Sequence, residues 1–251
     1  MTATHVAKPS INASLTQKFA AFRSLVPLVS KPNVTYLNSS FAPPSNYIVH
    51  DAITTYSIEA LHNPTPKPYW QAAGVETRQL IARYINADSS SIAFTRDTTE
   101  ALGNFIRRVP FQPGDNVVML NTEHPNHAYG WMALRSLGLE VRQVLTIPEA
   151  EKTGKVVAAT AQVFAPYVDD RTRAIGLSSI MFHSGQRNDV ARICSEFRPR
   201  GIHVLVDMTQ QVVFATPSPA SCQPGWQLAT QSSRREQHPC VQWLELAFAV
   251  S

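Results

Sequence analysis

The sequence predicts an α/β fold built around a mostly parallel sheet, and three observations support this. Residues 202–206 are mostly β-branched and aliphatic and lead to Asp207, a pattern typical of a strand that is buried on both faces of a parallel sheet. From Trp70 onward, short apolar runs alternate with segments of helical spacing. Such alternation favours parallel strands joined by right-handed crossovers. Turn residues separate the elements, as in Pro113-Gly114-Asp115 ahead of an apolar run.

Each predicted element follows from its local pattern. The predicted strands are short apolar runs, at residues 91–95, 116–120, 140–147, 173–181 and 202–207. The predicted helices have apolar residues at helical spacing, over residues 15–28, 47–61, 71–84, 99–109, 128–137, 159–167 and 187–197. Gly138 is expected to close the fifth of these helices. Three prolines at alternate positions predict a rigid, non-helical loop over residues 63–68.

Composition limits the classes of protein that fit. The chain has 251 residues, an apolar share of 44% and a net charge of +4 without a long basic run, which does not favour nucleic acid or membrane partners. Its apolar stretches are too short to span a bilayer, and no N-terminal apolar segment is present, so we expect a cytoplasmic protein. The cysteines Cys194, Cys222 and Cys240 form no metal-ligand or redox spacing, which is typical of reduced thiols.

The character of the sequence changes near its C-terminus. Residues 218–239 are rich in Ser, Gln, Pro and Arg and show no periodicity, which is typical of a disordered or loosely docked segment. We therefore expect an N-terminal arm over residues 1–45, a partial α/β large domain over 46–216 and a divergent tail over 217–251.

Polar side chains follow several of the predicted strands. Asp207 ends one strand, His124 follows another, and Ser179 and His183 follow a third. In open α/β sheets the carboxyl ends of the strands form the ligand-binding edge. An imidazole there can stack on a planar ligand or move a proton, but it can equally be a solvated loop residue. Asp207 can pair with a protonated pyridine nitrogen of a cofactor or cap a following helix.

A second polar group begins the helix predicted after residue 98. Thr98 and Thr99 stand at its start, where free N–H groups and the helix dipole attract anions such as phosphate. Simple capping by Asp97 or Thr98, with Glu100 in the first turn, explains the same pattern. The sequence contains no GxGxxG and no Walker A motif, which counts against a dinucleotide or nucleoside triphosphate site.

The ordered motifs together resemble the class V aminotransferase superfamily of fold-type I pyridoxal 5′-phosphate (PLP) enzymes. The resemblance is nearest to the branch of isopenicillin N epimerase-like proteins and cysteine desulfurases. It extends from about Tyr36 to about Phe214 and rests on Tyr36-Leu37-Asn38, Tyr69-Trp70, Thr95-Arg96-Asp97-Thr98-Thr99-Glu100-Ala101-Leu102, Pro113-Gly114-Asp115, Glu123-His124-Pro125-Asn126, Ser184-Gly185-Gln186-Arg187-Asn188-Asp189-Val190 and Val206-Asp207-Met208-Thr209-Gln210.

The resemblance implies a role for five residues. Thr98 and Thr99 would hold the PLP phosphate, and His124 would stack on the pyridine ring. Asp207 would pair with the protonated ring nitrogen, and Gln210 would hydrogen-bond the phenolic oxygen. It also implies an amino-acid substrate, a homodimer, and a reaction that is a transamination, an epimerisation or a C–S lysis.

The chain departs from the family at the residue that bonds the cofactor. Family members carry a Schiff-base lysine some two dozen residues beyond the Asp, whereas the last lysine here is Lys155. The small domain that supplies the arginine for the substrate carboxylate is not recognisable either. We therefore expect a C-terminally truncated large domain without a catalytic residue, in which PLP binds non-covalently at best. A non-catalytic pseudoenzyme, or a fragment that binds PLP or phosphate, is the alternative.

Overall fold

The computed structural model describes residues 14–39, 43–64 and 67–211. The predicted tail over residues 217–251 lies outside this part of the chain. The helices are α1 (Leu15–Ser24), α2 (Pro27–Ser30), α3 (Tyr47–His62), α4 (Lys67–Ile85), α5 (Thr98–Ile106), α6 (Pro125–Met132), α7 (Ile147–Thr153), α8 (Ala161–Phe164) and α9 (Val190–Phe197). The strands are β1 (Asn116–Leu120), β2 (Glu140–Val144), β3 (Thr172–Ser178) and β4 (His203–Asp207).

The chain divides into two compact units, Met1–Val75 and Glu76–Ser251. The described part of the first unit is helical. Its helix α1 begins with a capping box, in which Ser14 and Gln17 exchange side chain-to-backbone hydrogen bonds. Tyr56 and Trp70 pack with their ring centroids 4.6 Å apart. No helix in the described residues is long and apolar enough to cross a membrane.

The second unit contains the predicted parallel sheet. Its four strands are all parallel, in the order β2-β1-β3-β4. Strand β1 is buried along its whole length, and its side chains alternate between two cores. Val118 and Leu120 belong to one core, and Val117 and Met119 to the other. A sheet covered on both faces is the arrangement that continuous apolar strands require.

Helices form both covering layers. One core contains buried side chains of α8 and α9, including Phe164 and Ile193. The other contains buried side chains of α5 and α6, including Phe105 and Trp131. The predicted three-layer α/β fold is therefore confirmed.

The structure corrects the predicted strand over residues 91–95. Asp88 caps a single 3₁₀ turn, Ser89–Ser91, and residues 92–95 join no strand pairing. The Ile92 carbonyl instead accepts a hydrogen bond from Arg78 Nε at 3.0 Å. An apolar run becomes a strand only when a neighbouring strand pairs with it, and no described strand does so here.

Two further predicted strands were too long. Strand β2 ends at Val144, and α7 begins at Ile147 with Pro148 in its first turn. Proline lacks the N–H that a strand needs but is well suited to the first turn of a helix. Strand β3 ends at Ser178 because the chain then folds back, with Ile180 pairing antiparallel to Arg187. The following helix begins only at Val190, after its cap Asp189.

The predicted loop over residues 63–68 was also partly wrong. Helix α4 begins at Lys67 and includes Pro68, which a first turn tolerates because its N–H groups need no helical partner.

Candidate functional site

The carboxyl ends of β1, β3 and β4 lie at one edge of the sheet, because the three strands are parallel neighbours. Polar side chains follow each strand there. His124 comes after β1, Ser179 and His183 come after β3, and Asp207 is the last residue of β4. This is the edge at which open α/β sheets bind their ligands.

Asp207 is a buried charge at this edge, with 8% of its surface exposed. Its Oδ1 accepts the Thr209 N–H at 2.9 Å and the Thr209 hydroxyl at 2.6 Å. Its main-chain carbonyl accepts the Ser179 N–H at 2.8 Å and the Ser179 hydroxyl at 3.1 Å. The Oδ2 atom has no hydrogen-bond partner among the described residues. This oxygen is not one of the enclosed polar atoms of the described residues, so it is open to a cationic group of a ligand.

Thr98 and Thr99 are the first two residues of α5. The capping alternative is present, because Asp97 Oδ1 accepts the Glu100 N–H at 2.8 Å. This contact, with a hydrogen bond from Arg96, lowers the pKa of Asp97. Thr98 Oγ1 lies 3.4 Å from Thr209 Oγ1, so the start of α5 reaches the turn that holds Asp207. Thr99 is exposed. The two threonine hydroxyls are thus beside a helix N-terminus, where an anion is favoured.

His124 is the N-cap of α6 and is half-buried. Its Nδ1 accepts the Asn126 N–H at 3.3 Å, which leaves Nε2 to carry the proton of a neutral ring. The ring meets Phe182 edge to face, with centroids 4.8 Å apart, and Phe182 meets His183 in the same way at 5.1 Å. The His124 side chain is therefore held from two directions, by a cap hydrogen bond and by an aromatic edge.

Gln210 lies half-buried in the turn after β4, which the Gln211 N–H closes by bonding to the Met208 carbonyl. Within the described residues no hydrogen bond or ring contact joins Gln210 or His124 to Asp207. The structure thus connects Ser179 to Asp207 directly and Thr98 to Asp207 through Thr209, and it leaves Gln210 and His124 on neighbouring loops.

A buried glutamate, Glu123, escaped the sequence analysis. Its Oε1 accepts the Ser178 N–H at 3.0 Å, and its Oε2 accepts the Ser178 hydroxyl at 2.6 Å. Asn188 supports the same strand end, because its amide group donates to the Ser178 carbonyl at 2.7 Å and accepts the Ala159 N–H at 2.8 Å. In the sequence, Glu123 belongs to the Glu123-His124-Pro125-Asn126 motif of the resemblance, but that motif gave it no role of its own.

Comparisons with known proteins identify the family of this chain. The family model described as "Aminotransferase class-V" matches residues 48–221. The chain belongs to the class V aminotransferase family. A protein of Schizosaccharomyces pombe named an uncharacterized aminotransferase is 57% identical over 197 residues, which are 78% of this chain and 48% of that protein. A probable cysteine desulfurase of Methanothermobacter thermautotrophicus is 30% identical over 182 residues, 70% of this chain and 44% of its own length.

Solved structures show the same fold. A mutant of C-DES, with glycine covalently linked to its PLP cofactor, superposes with a TM-score of 0.70 at 22% identity, over 80% of this chain and 53% of that one. The class V chain described here thus spans about half the length of the relatives it matches.

The residues of this class V chain are suited to bind PLP non-covalently but not to form a covalent bond with it. A buried carboxylate with a partner-free oxygen suits a protonated pyridine nitrogen, and two hydroxyls at the start of a nine-residue helix suit a phosphate. The sequence holds no lysine beyond Lys155. Lys152 lies in the last turn of α7 and Lys155 just after it, and both are exposed.

Proposed function

We propose that this chain binds PLP at the carboxyl edge of its sheet, as the cofactor-binding part of an enzyme that acts on an amino acid. The observation that carries the proposal is Asp207, whose Oδ1 is held by Thr209 while Oδ2 has no partner in the described residues. The same Thr209 hydroxyl lies 3.4 Å from Thr98 at the start of α5. A carboxylate and an anion-binding helix start are thereby tied together, which suits a ligand with one cationic and one anionic end.

Each chain residue has a defined task in this proposal. Thr98 and Thr99 donate their hydroxyls to the phosphate, and the dipole of α5 adds to the attraction. Asp207 keeps the pyridine nitrogen protonated, which maintains PLP as an acceptor of electrons from an amino acid's Cα. His124 offers its ring face to the pyridine, and Gln210 hydrogen-bonds the phenolic oxygen. The reaction class is transamination, epimerisation or C–S lysis.

A second candidate is a chain that binds PLP or phosphate without catalysing a reaction. The absence of any lysine between residues 156 and 251 favours it, because a lysine that bonds PLP is what gives these enzymes turnover. In that case Asp207 and the start of α5 hold the ligand as a pseudoenzyme or a fragment would. The two candidates share the site and differ only in the fate of an added amino acid.

Calorimetry with PLP on Asp207→Asn tests the shared site. Asparagine keeps an oxygen for the two Thr209 contacts and removes the charge, so the fold should persist. Loss of one charge-assisted hydrogen bond costs about 1.5–3 kcal/mol, which weakens binding roughly tenfold or more. Thr99→Ala should weaken both PLP and inorganic phosphate.

The matched control is Asp170→Asn, because Asp170 is exposed and far along the chain from every proposed ligand residue. It should bind PLP as the parent does. Parent-like affinity in both Asp207→Asn and Thr99→Ala would refute the site.

A further inference from the structure

Glu123 has a structural position that neither capping nor core packing explains. Its side chain is fully buried, although burying a carboxylate is unfavourable unless the carboxylate is well paired. Helix α6 does not need it, because His124 is the N-cap. Both carboxylate oxygens instead accept hydrogen bonds from one residue, Ser178, the last of β3. An oxygen-to-oxygen distance of 2.6 Å is typical of a strong, charge-assisted hydrogen bond.

Ser178 is joined through the next residue to the main chain of Asp207, the residue that carries the proposed ligand carboxylate. Ser178 is the register partner of Asp207 in the β3–β4 pairing. The next residue, Ser179, donates both its N–H and its hydroxyl to the Asp207 carbonyl. Glu123 therefore connects the loop that carries His124 to the strand end that carries Asp207, through two adjacent serines.

The surroundings leave Ser178 as the main support of this carboxylate. His127 lies four residues after Glu123, in the first turn of α6, and its Nδ1 is 3.8 Å from Glu123 Oε2, which is too long for a hydrogen bond. The His127 ring is fully buried, and neither of its nitrogens has a hydrogen-bond partner in the described part of the chain. The ring thus closes the space around Glu123 without fixing its direction. Among the described residues, the two bonds from Ser178 are the hydrogen bonds that fix the direction of this carboxylate.

We infer that Glu123 is a positioning residue, which sets the His124 ring relative to the Asp207 carboxylate through Ser178 and Ser179. Glu123 touches no ligand in this role. The inference rests on the proposed PLP site for its consequence in binding. The hydrogen bonds that link Glu123 to Asp207 through Ser178 and Ser179 are present without a ligand, so their strength can be measured in the ligand-free chain.

The test compares Glu123→Gln and Ser178→Ala with the exposed control Glu149→Gln. Glutamine keeps an oxygen for the Ser178 N–H, so the variant should fold, but it loses the charge. Both variants should bind PLP roughly threefold to tenfold more weakly, because part of the lost hydrogen-bond free energy reaches the ligand. Inorganic phosphate should bind them as it binds the parent, since it needs only the start of α5. General loss of structure would weaken both ligands.

Amide hydrogen exchange on the ligand-free chain gives the second readout. In Glu123→Gln the Ser178 N–H should exchange faster, and so should the Ser179 N–H, although that group bonds Asp207 and not Glu123. The control should change neither. Unchanged exchange at Ser179, or parent-like PLP affinity in both variants, would overturn the inference. If the parent itself bound no PLP, the proposed function would fail, and exchange at Ser179 would still decide the link.

Discussion

Gly176 is a position at which the addition of a single methyl group should lower the stability of the fold. It lies in the middle of β3, between Met119 of β1 and Leu205 of β4. A Cβ added there would lie 2.7 Å from His127 Nε2 and 2.8 Å from Trp131 Nε1. Both rings belong to α6 and are almost completely buried. Helix α6 can approach the sheet this closely only because residue 176 has no side chain.

The size of the effect follows from that geometry. Distances under 3 Å cannot be relieved by a flexible side-chain end, because both neighbours are rigid rings. Helix α6 must move, and overpacking of this kind costs about 1–3 kcal/mol. Replacing glycine also reduces the entropy of the unfolded chain, which returns about 0.4–1 kcal/mol. We expect Gly176→Ala to lose about 1–2 kcal/mol net, or roughly 2–8 °C in melting temperature.

Thermal and urea unfolding, followed by circular dichroism, measure this loss. The control is Gly103→Ala in α5, where the nearest atom to the added Cβ is Arg107 Nη1 at 3.4 Å. Alanine is favoured over glycine inside a helix by about 0.5–1 kcal/mol, so the control should gain stability. In a His127→Ala background the cost at Gly176 should shrink, because one of the two rings is gone. Equal stability of Gly176→Ala and the parent would refute the packing argument.

Two further predictions concern the cofactor and acid stability. Borohydride added to the chain with PLP should trap no single lysine peptide, because no lysine follows Lys155; one dominant labelled peptide in the mass spectrum would contradict this. Arg142, together with Asn116, lowers the pKa of Asp169 from 3.8 to about 2. The stability gained from ionised Asp169 is therefore present above pH 3.8 and is lost as the pH falls through about 2. In urea unfolding between these two pH values, the free energy of unfolding should fall less steeply in Asp169→Asn than in the parent. If the free energy of unfolding depended on pH identically in both proteins, that would argue against the ion pair.

The sequence predicted most reliably the elements that are determined by neighbouring residues in the chain alone. Strand β1 was placed to the residue, because Asn116–Leu120 is a short apolar run with a Pro-Gly-Asp turn ahead of it. Gly138 closes its helical segment as expected, at a φ of 93°, where glycine is favoured. Such local signals need no knowledge of neighbouring strands.

Elements that depend on distant partners were predicted less well. Residues 92–95 have the composition of a strand but find no pairing among the described strands, and Arg78 takes the Ile92 carbonyl instead. The end of β3 was misplaced because the turn after Ser178 depends on Asn188, ten residues further on. Neither the absent partner nor the distant amide leaves a periodic signal.

The candidate site shows the same division between local and non-local information. Thr98, His124 and Asp207 stand next to helix starts or strand ends, so local patterns were enough to propose them. What relates them to one another lies far apart in the chain: Thr98 and Thr209 are 111 residues apart, and Glu123 and Ser178 are 55 apart. The contact between Glu123 and Ser178 arises because β1 and β3 are adjacent and parallel, which places their ends side by side. The contact between Thr98 and Thr209 arises because α5 packs in the same core as β4. Sequence patterns can therefore propose which groups contact a ligand, whereas the groups that hold them in place, such as Glu123, emerge only once the strand order is known.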